Sequence, residues 1–235
     1  MPSTQMATTT TEDEQATHGD TMTDFSSFDE IARTIFAPAY PVIAAQIIED
    51  TGVRFGTCLD IGCGGGYLGM AVAAIVPVNL ICLDPSEGMQ ALVSRNLKAA
   101  GLSTRSRVIP GRAESIPLPD DHVDLAISRG SIFFWRDHVQ AFREIYRVMK
   151  LGGKAYIGGG FGSAAIREEI GRKMAARHRG EVPWPKHVAE RLGPDAAERF
   201  HRLLVSAGIR DFQIVRNQDK GLWIMMEKET RHDDL

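Results

Sequence analysis

Residues 58 to 66 combine an apolar strand with a glycine-rich loop. The stretch reads Cys58-Leu59-Asp60-Ile61-Gly62-Cys63-Gly64-Gly65-Gly66, so the strand reaches an acid and then a loop in which glycine recurs. Residues 67 to 75 follow with helical composition and no breaker before Pro77. Glycine can adopt φ > 0, and it leaves bare N–H groups at the positive end of the following helix. The pattern predicts a nucleotide site held by backbone.

The residues around this loop bear on the kind of nucleotide. Gly64, Gly66 and Gly69 form a literal G-x-G-x-x-G, which is typical of dinucleotide-binding folds. Asp60 precedes Gly62, the first glycine of the loop, by two residues, where an anion would repel a pyrophosphate but suits a cationic amino-acid group. Asp84 ends a second apolar strand 20 residues after Gly64, where a carboxylate can accept both ribose hydroxyls. Either kind of nucleotide would use Asp84.

Five segments, in order, resemble the class I S-adenosylmethionine (SAM) methyltransferases. Residues 60 to 66, Asp-x-Gly-x-Gly-x-Gly, resemble motif I of that family, and residues 85 to 89 resemble its continuation after the second strand. The further matches are the loop at 111 to 120, the fourth strand at 122 to 128, and the helix with its Gly-Gly turn at 141 to 154. They cover about residues 55 to 160 and are most similar to the branch with the ubiquinone/menaquinone-biosynthesis C-methyltransferases. Arg112 departs from the pattern, because the family has an Asp there that often pairs with the adenine amino group.

The resemblance implies a fold and a cofactor. The fold is a Rossmann-like three-layer αβα sandwich with a seven-stranded, mostly parallel sheet in the order 3-2-1-4-5-7-6, closed by an antiparallel hairpin from residues 211 to 216 and 221 to 226. SAM is the expected cofactor. Asp84 should take the ribose, Met89 should pack on adenine and Ala113 should give backbone to the adenine edge, while Asp60 acts at the methionine end through loop geometry and water. The expected cofactor-binding residues are Asp60, Gly62, Cys63, Gly64, Gly66, Asp84, Met89, Ala113, Glu114 and Ser128.

The loop after the fourth strand is the predicted acceptor side. Arg129 could hold an anionic group through its forked donors, or it could make a structural salt bridge. Phe133, Phe134 and Trp135 could shape an apolar pocket or face the sulfonium charge, or they could bury themselves against the next helix. Both alternatives stay open at this point.

Methyl transfer from a sulfonium needs positioning more than it needs a base. His138, at the start of the following helix, is the nearest titratable base, and Arg129 and Tyr40 are the other catalytic candidates. In the resembled family, helices before the first strand cover the SAM pocket and often give an aromatic hydroxyl, for which Tyr40 is the candidate. Gly159 lies in a glycine run at the end of the fifth strand, which either lets a substrate approach or eases a turn.

Composition bounds the remaining possibilities. The chain has 235 residues, 43% of them hydrophobic, and a net charge of −3 with both signs interspersed, which predicts one catalytic domain and no nucleic-acid groove. Cys58, Cys63 and Cys82 form no C-x-x-C pair, so no metal is expected. Without a run of 18 apolar residues or a secretory signal pattern, we expect a cytoplasmic protein with no stable membrane insertion, acting as a monomer or homodimer.

The chain divides into a tail and one domain. Residues 1 to 24 are polar and predict a disordered tail. Residues 25 to 235 form the methyltransferase domain, in which residues 25 to 52 are the N-terminal lid helices and residues 161 to 195 are a substrate-side insertion. That insertion includes a helix over about 163 to 179 and the segment Pro183-Trp184-Pro185; a later helix runs from 195 to 207 and ends at Gly208.

The sequence therefore predicts a SAM-dependent methyltransferase that acts on a small molecule by in-line displacement. An NAD(P)-dependent oxidoreductase and a non-catalytic SAM-binding module are the alternatives. Carbon, oxygen, nitrogen and sulfur acceptors are all served by this scaffold, and the fold does not choose among them.

Overall fold

The computed structural model describes residues 22–177, 193, 195–217 and 219–229. Its helices are α1 (Met22–Thr34), α2 (Ala39–Thr51), α3 (Tyr67–Ile75), α4 (Glu87–Ala99), α5 (His138–Val148), α6 (Ala164–Arg177) and α7 (Ala196–Ala207). Its strands are β1 (Gly56–Ile61), β2 (Val78–Asp84), β3 (Ser106–Pro110), β4 (Val123–Arg129), β5 (Met149–Gly159), β6 (Phe212–Asn217) and β7 (Gly221–Glu227). The predicted tail, apart from its last three residues, and the segment Pro183-Trp184-Pro185 lie outside the described residues.

The strands form one seven-stranded sheet in the order β3-β2-β1-β4-β5-β7-β6. The first five strands are parallel neighbours, whereas β7 runs antiparallel to both β5 and β6. This arrangement confirms the predicted order and the terminal hairpin. Because the strand order reverses between β1 and β4, a crevice opens at their carboxyl ends, which is where ligands bind in open α/β sheets.

Alternate strand residues pack against helices on the two faces of the sheet. Leu59 and Ile61 face a core that includes residues of α5 and α7. Cys58 and Cys82 face a second core that includes residues of α2, α3 and α4. Buried on both faces, the central strands are mainly apolar, and the three-layer sandwich follows from that pattern.

Two element boundaries involve a proline and a glycine pair. Helix α2 begins at Ala39, before Pro41, because amides of the first helical turn have no intrahelical partner and a proline is tolerated there. Strand β5 begins at Met149, although a Gly-Gly turn was expected to precede it. The register against β4 shifts between Val123 and Leu125, so a bulge accommodates both glycines within the strand.

Helix α7 ends as predicted. Gly208 follows it with φ +83°, and its backbone N–H donates to carbonyls of the last turn. Among the described residues, no single helix is long and apolar enough to cross a membrane; one bent pair, Ser27–Thr34 with Ala39–Thr51, meets that criterion by length and composition.

The glycine run after β5 serves backbone packing. A side chain on Gly158 would collide with the Leu222 carbonyl oxygen, and one on Gly160 would collide with the Lys220 carbonyl oxygen. These glycines let the start of β7 approach β5, so the interpretation that the whole run is kept bare for a ligand is wrong for Gly158. Gly159 does face the cavity described below.

Gly158→Ala should destabilise the fold by about 1 to 3 kcal/mol, because the new Cβ meets backbone that cannot rotate away. Gly171→Ala is the matched control, since its Cβ would lie in open space within α6 and alanine favours a helix by up to about 1 kcal/mol. Urea unfolding of both variants measures the effects. Equal stability of the two variants would contradict the proposed close approach.

Candidate active site

One cavity of about 700 Å³ lies at the carboxyl ends of the central strands. Helix α1 contributes Phe28 and Ile31 to its wall, and the turn before β7 contributes Asp219 and Gly221. The structure brings eleven of the predicted site residues together around this cavity: Tyr40, Gly62, Gly64, Asp84, Met89, Ala113, Glu114, Arg129, Phe133, Trp135 and Gly159.

Five predicted site residues lie outside the lining: Asp60, Cys63, Gly66, Ser128 and His138. Cys63 lies in the glycine loop, and a hydrogen bond with Cys82, together with burial, raises the pKa of its thiol well above the ordinary range. Such a thiol is a packing group, because reactivity requires the thiolate. Gly66 has φ +77°, and a side chain there would strike Val93 of α4. Glycine is therefore required at this position because the loop packs closely against α4.

Asp84 ends β2 with its carboxylate on the cavity wall. One oxygen accepts the Gly64 backbone N–H at 2.9 Å and the other accepts the Ser86 backbone N–H at 3.0 Å. Each carboxylate oxygen retains lone-pair capacity for a ligand hydroxyl. The residue is only 7% exposed, and this burial raises its pKa. The carboxylate is thus oriented by backbone and faces the cavity.

Asp60 lies beneath the glycine loop. Its Oδ2 accepts the Gly69 backbone N–H at 3.0 Å, which holds the first turn of α3. Burial raises the pKa of Asp60 to about 7, against the opposing effect of the Gly69 hydrogen bond and with a further contribution from the nearby Asp84. Within the described ranges, no ion pair includes Asp60 or Asp84. The loop therefore lies above two buried carboxylates that no cation of the described residues pairs with, and Asp60 is only partly ionised near neutral pH.

The glycine loop follows the carboxyl end of β1. Gly62 and Gly64 have φ +62° and +53°, values that side-chain-bearing residues rarely adopt. A Cβ on Gly62 would collide with the Ser131 side chain, and a Cβ on Gly64 would lie 3.2 Å from the Phe28 ring. Phe28 belongs to α1, so this helix packs against the loop.

Glu114 connects the two sides of the cavity. Its Oε1 accepts the backbone N–H of Arg136 at 2.6 Å and that of Asp137 at 3.4 Å. The loop that carries Glu114 is held to α5 by Arg147, whose guanidinium donates to the carbonyls of Ile116 and Leu118. The loop predicted to edge adenine is thereby tied to the loop after β4.

Arg129, the last residue of β4, lines the cavity. Its Nε donates to the Gly160 carbonyl at 2.9 Å, and its Cζ lies 5.1 to 5.6 Å from the ring centroids of Phe36, Tyr40 and Phe161. No carboxylate of the described residues lies within 4.0 Å of it, so the structural salt bridge considered from the sequence is wrong. Burial lowers the pKa of Arg129.

Tyr40 lies beside this guanidinium and stacks on Tyr67 of α3 with 5.4 Å between ring centroids. Burial raises the pKa of the Tyr40 hydroxyl, against the opposing charge of Arg129. The hydroxyl therefore stays protonated at neutral pH and can act as a hydrogen-bond donor.

The three aromatic residues of the β4 loop do what both sequence interpretations expected. All three line the cavity, yet Phe133 and Trp135 are buried and only Phe134, at 61% exposed, reaches solvent. Trp135 Nε1 donates to Ser131 Oγ at 3.2 Å, and its ring meets Phe142 of α5 edge-on. Ser128 lies behind them, 2.5 Å from Ser131 between hydroxyl oxygens.

His138 points away from the cavity. Its Nε2 lies 2.8 Å from the Ile132 carbonyl oxygen, and its ring packs near Phe142 and Phe200. This contact and the neighbouring aromatic rings place the half-buried imidazole in the packing between α5 and α7 and outside the cavity lining, so the structure lends no support to His138 as the nearest catalytic base.

Several lining residues escaped the sequence interpretation. The pairing of β5 with β7 brings the turn after β6 to the carboxyl end of β5, and the packing of α1 and α6 closes the cavity from the other side. Only the predicted hairpin hinted at the first of these contacts. The added lining residues include Phe28, Phe36, Ser131, Phe161, Arg167, Arg216 and Asp219.

Known proteins match both the sequence and the fold. Residues 59–157 match a family described as a methyltransferase domain. The uncharacterised methyltransferase YdaC of Bacillus subtilis is 33% identical over 129 residues, which are 54% of this chain and 69% of that protein. A protein of Methanococcus maripaludis, proposed to be a SAM-dependent methyltransferase, is 37% identical with a TM-score of 0.84, covering 94% of this chain and 99% of that one.

A third relative is larger. The 2-methyl-6-phytyl-1,4-hydroquinone methyltransferase of Spinacia oleracea is 40% identical over 98 residues, which are 41% of this chain but only 27% of the relative. This chain thus spans about a quarter of that protein. The bare glycine loop, the Asp84 carboxylate on the cavity wall and the buried Asp60 carboxyl, which a cation would help to ionise, fit a cationic nucleoside such as SAM. These matches decide against the NAD(P)-dependent oxidoreductase considered from the sequence. The chain belongs to the class I SAM-dependent methyltransferases, whose methyl donor is SAM.

Proposed function

We propose that this protein transfers the methyl group of SAM to a small molecule with an apolar body. The observation that carries the proposal is that one cavity joins two unlike halves. One half is made by the glycine loop, Asp84 and Met89, and the other by aromatic side chains around Arg129. A donor and an acceptor can therefore meet within one cavity.

The donor half would hold SAM through groups with distinct roles. Asp84 would accept the ribose hydroxyls, Met89 would pack on adenine, and the backbone of Ala113 would meet the adenine edge. Gly62 and Gly64 would leave room for the methionine end, and the charge of Asp60 beneath the loop would favour its ammonium group. When bound, SAM supplies an already activated methyl group, so the chain's own task is to orient the reactants and to exclude water.

The acceptor half is mainly apolar. Phe36, Phe133, Phe134, Phe161 and Leu222 line it. No histidine lines the described part of this cavity, since His138 packs elsewhere, and Tyr40 keeps its proton. We therefore infer an acceptor that is a nucleophile in its own right or that loses its proton to water.

An apolar acceptor agrees with the spinach relative, which is named for a phytyl-substituted hydroquinone. The acceptor atom is open, because carbon, oxygen, nitrogen and sulfur nucleophiles all suit this scaffold. The cytoplasmic location, the monomeric or homodimeric state and the division into tail, lid helices and insertion stay predictions from the sequence.

A thermal-shift comparison tests the proposed donor. S-adenosylhomocysteine (SAH) and SAM should stabilise the protein, by about 2.7 kcal/mol at 100 times the Kd, whereas NAD and NADP should have no effect. Incubation with methyl-labelled SAM and a panel of apolar phenols, quinols and carboxylates should then yield a labelled organic product. Stabilisation by NAD or NADP alone would refute the proposal, and SAH binding without transfer to any acceptor would favour a non-catalytic SAM-binding module.

Asp84→Asn should weaken SAH binding by roughly 10- to 100-fold, because a charge-assisted pair of hydrogen bonds to the ribose is lost. Glu87→Gln is the matched control. It removes the same charge from an exposed residue that lies three positions after Asp84 and does not line the cavity. Isothermal titration calorimetry measures both constants. An unchanged Kd for Asp84→Asn would contradict the role of Asp84.

SAM affinity should rise with pH because of Asp60. The folded pKa is about 7 against an ordinary 3.8, so the folded protein keeps a proton that the unfolded chain has released. Stability should accordingly fall as pH rises between about 4 and 7. A cationic ligand favours ionised Asp60, so affinity should increase several-fold between about pH 5.5 and 7.

Calorimetric titrations of SAM across this range measure the slope. Asp60→Asn keeps an oxygen that can accept the Gly69 N–H but does not titrate, so the SAM affinity of this variant should not depend on pH in this range. An identical pH dependence in the Asn variant would show that another group is responsible.

A further inference from the structure

The two halves of the cavity differ in charge. On the donor side, the lining contains the carboxylates of Asp84 and Glu114 and one guanidinium, that of Arg112. On the acceptor side, the described lining contains three guanidinium groups, those of Arg129, Arg167 and Arg216, against the single carboxylate of Asp219. Arg167 and Arg216 are exposed at the rim, whereas Arg129 lies deeper. The acceptor end is therefore positive, although most of its other walls are apolar.

Arg129 is held in an unusual environment for a cation. Aromatic rings from three separate segments surround its Cζ: Phe36 before α2, Tyr40 within α2, and Phe161 after β5. Ring faces attract a guanidinium, but they do not satisfy its N–H donors. The hydrogen bond recorded for its side chain within the described residues uses Nε alone. The outer edge of the fork, which binds oxyanions in bidentate fashion, is thereby left for a ligand.

A half-buried guanidinium without a carboxylate partner is costly unless something else compensates for its lost hydration. The rings and the Gly160 carbonyl fix its orientation, and the cavity gives an incoming anion direct access. The surrounding aromatic side chains would then cover the apolar part of the same molecule. The fixed position and the charge of Arg129, together with the apolar walls around it, suit an amphiphilic anion.

We propose that Arg129 is the anion-binding residue of the acceptor pocket and that the acceptor is an apolar molecule carrying an oxyanion, either a carboxylate or a phosphate. This inference rests on the proposed methyl transfer and adds the class of acceptor. SAM itself carries a carboxylate, so the test must separate the two sources of an anion.

Protein saturated with SAH is titrated calorimetrically with naphthoate, naphthyl phosphate and the neutral isostere naphthamide. At least one anion should bind roughly tenfold or more tightly than the amide. Arg129→Met should abolish this preference, and Arg129→Lys, which keeps the charge but not the fork, should retain part of it. Arg136→Met is the control: it removes the same charge from an exposed residue of the same loop that does not line the cavity, and the preference should persist.

Each contrary result has a distinct meaning. Equal affinity for anions and amide, or no anion binding in the millimolar range, would overturn the inference while leaving SAM-dependent methyl transfer intact. A preference that survives in Arg129→Met, together with a tenfold or larger loss of SAH affinity, would assign the guanidinium to the SAM carboxylate and would also overturn it. Failure of the wild-type protein to bind SAH would refute the proposed function, and with it this inference.

Discussion

Two buried carboxylates organise the glycine loop through backbone amides. Asp60 holds Gly69 at the start of α3, and Asp84 holds Gly64 in the loop and Ser86 before α4. Burial raises the electrostatic cost of ionising Asp60, and the nearby carboxylate of Asp84 adds to that cost. Such an arrangement stabilises the loop only modestly on its own, but it favours any ligand that brings positive charge. The loop geometry and the preference for a cationic donor thus have one origin.

The proposed acceptor half of the cavity carries the opposite charge, because its lining contains more guanidinium groups than carboxylates. Arg129 is fixed by the Gly160 carbonyl and by rings from three segments, so its position depends on the packing of α2 and of the chain after β5. Glu114 meanwhile links the loop beside Met89 to the loop that follows β4. A cationic donor and an anionic acceptor would be attracted to opposite ends of one cavity and toward each other, which is a direct way to pre-order a bimolecular displacement.

The sequence predicted the parts of this site that depend on local pattern. Strand ends with acids, glycine spacing and the Gly208 cap each reflect contacts within a few residues, and the strand order came from the family resemblance. Prediction from the sequence failed where segments distant along the chain pack together. His138 turns inward because aromatic residues of α5 and α7 surround it, and Gly158 is small because β7 crosses beside it. The aromatic surroundings of Arg129 combine residues from 36 to 161, which no local spacing reveals.

A crystal structure of the protein with SAH bound would test the central claim most directly. The account predicts the ribose hydroxyls within hydrogen-bond distance of the Asp84 carboxylate, adenine between Met89 and Ala113, and the outer edge of the Arg129 fork free of the ligand carboxylate. SAH bound elsewhere, or with its ribose turned away from Asp84, would contradict the assignment of the two halves of the cavity.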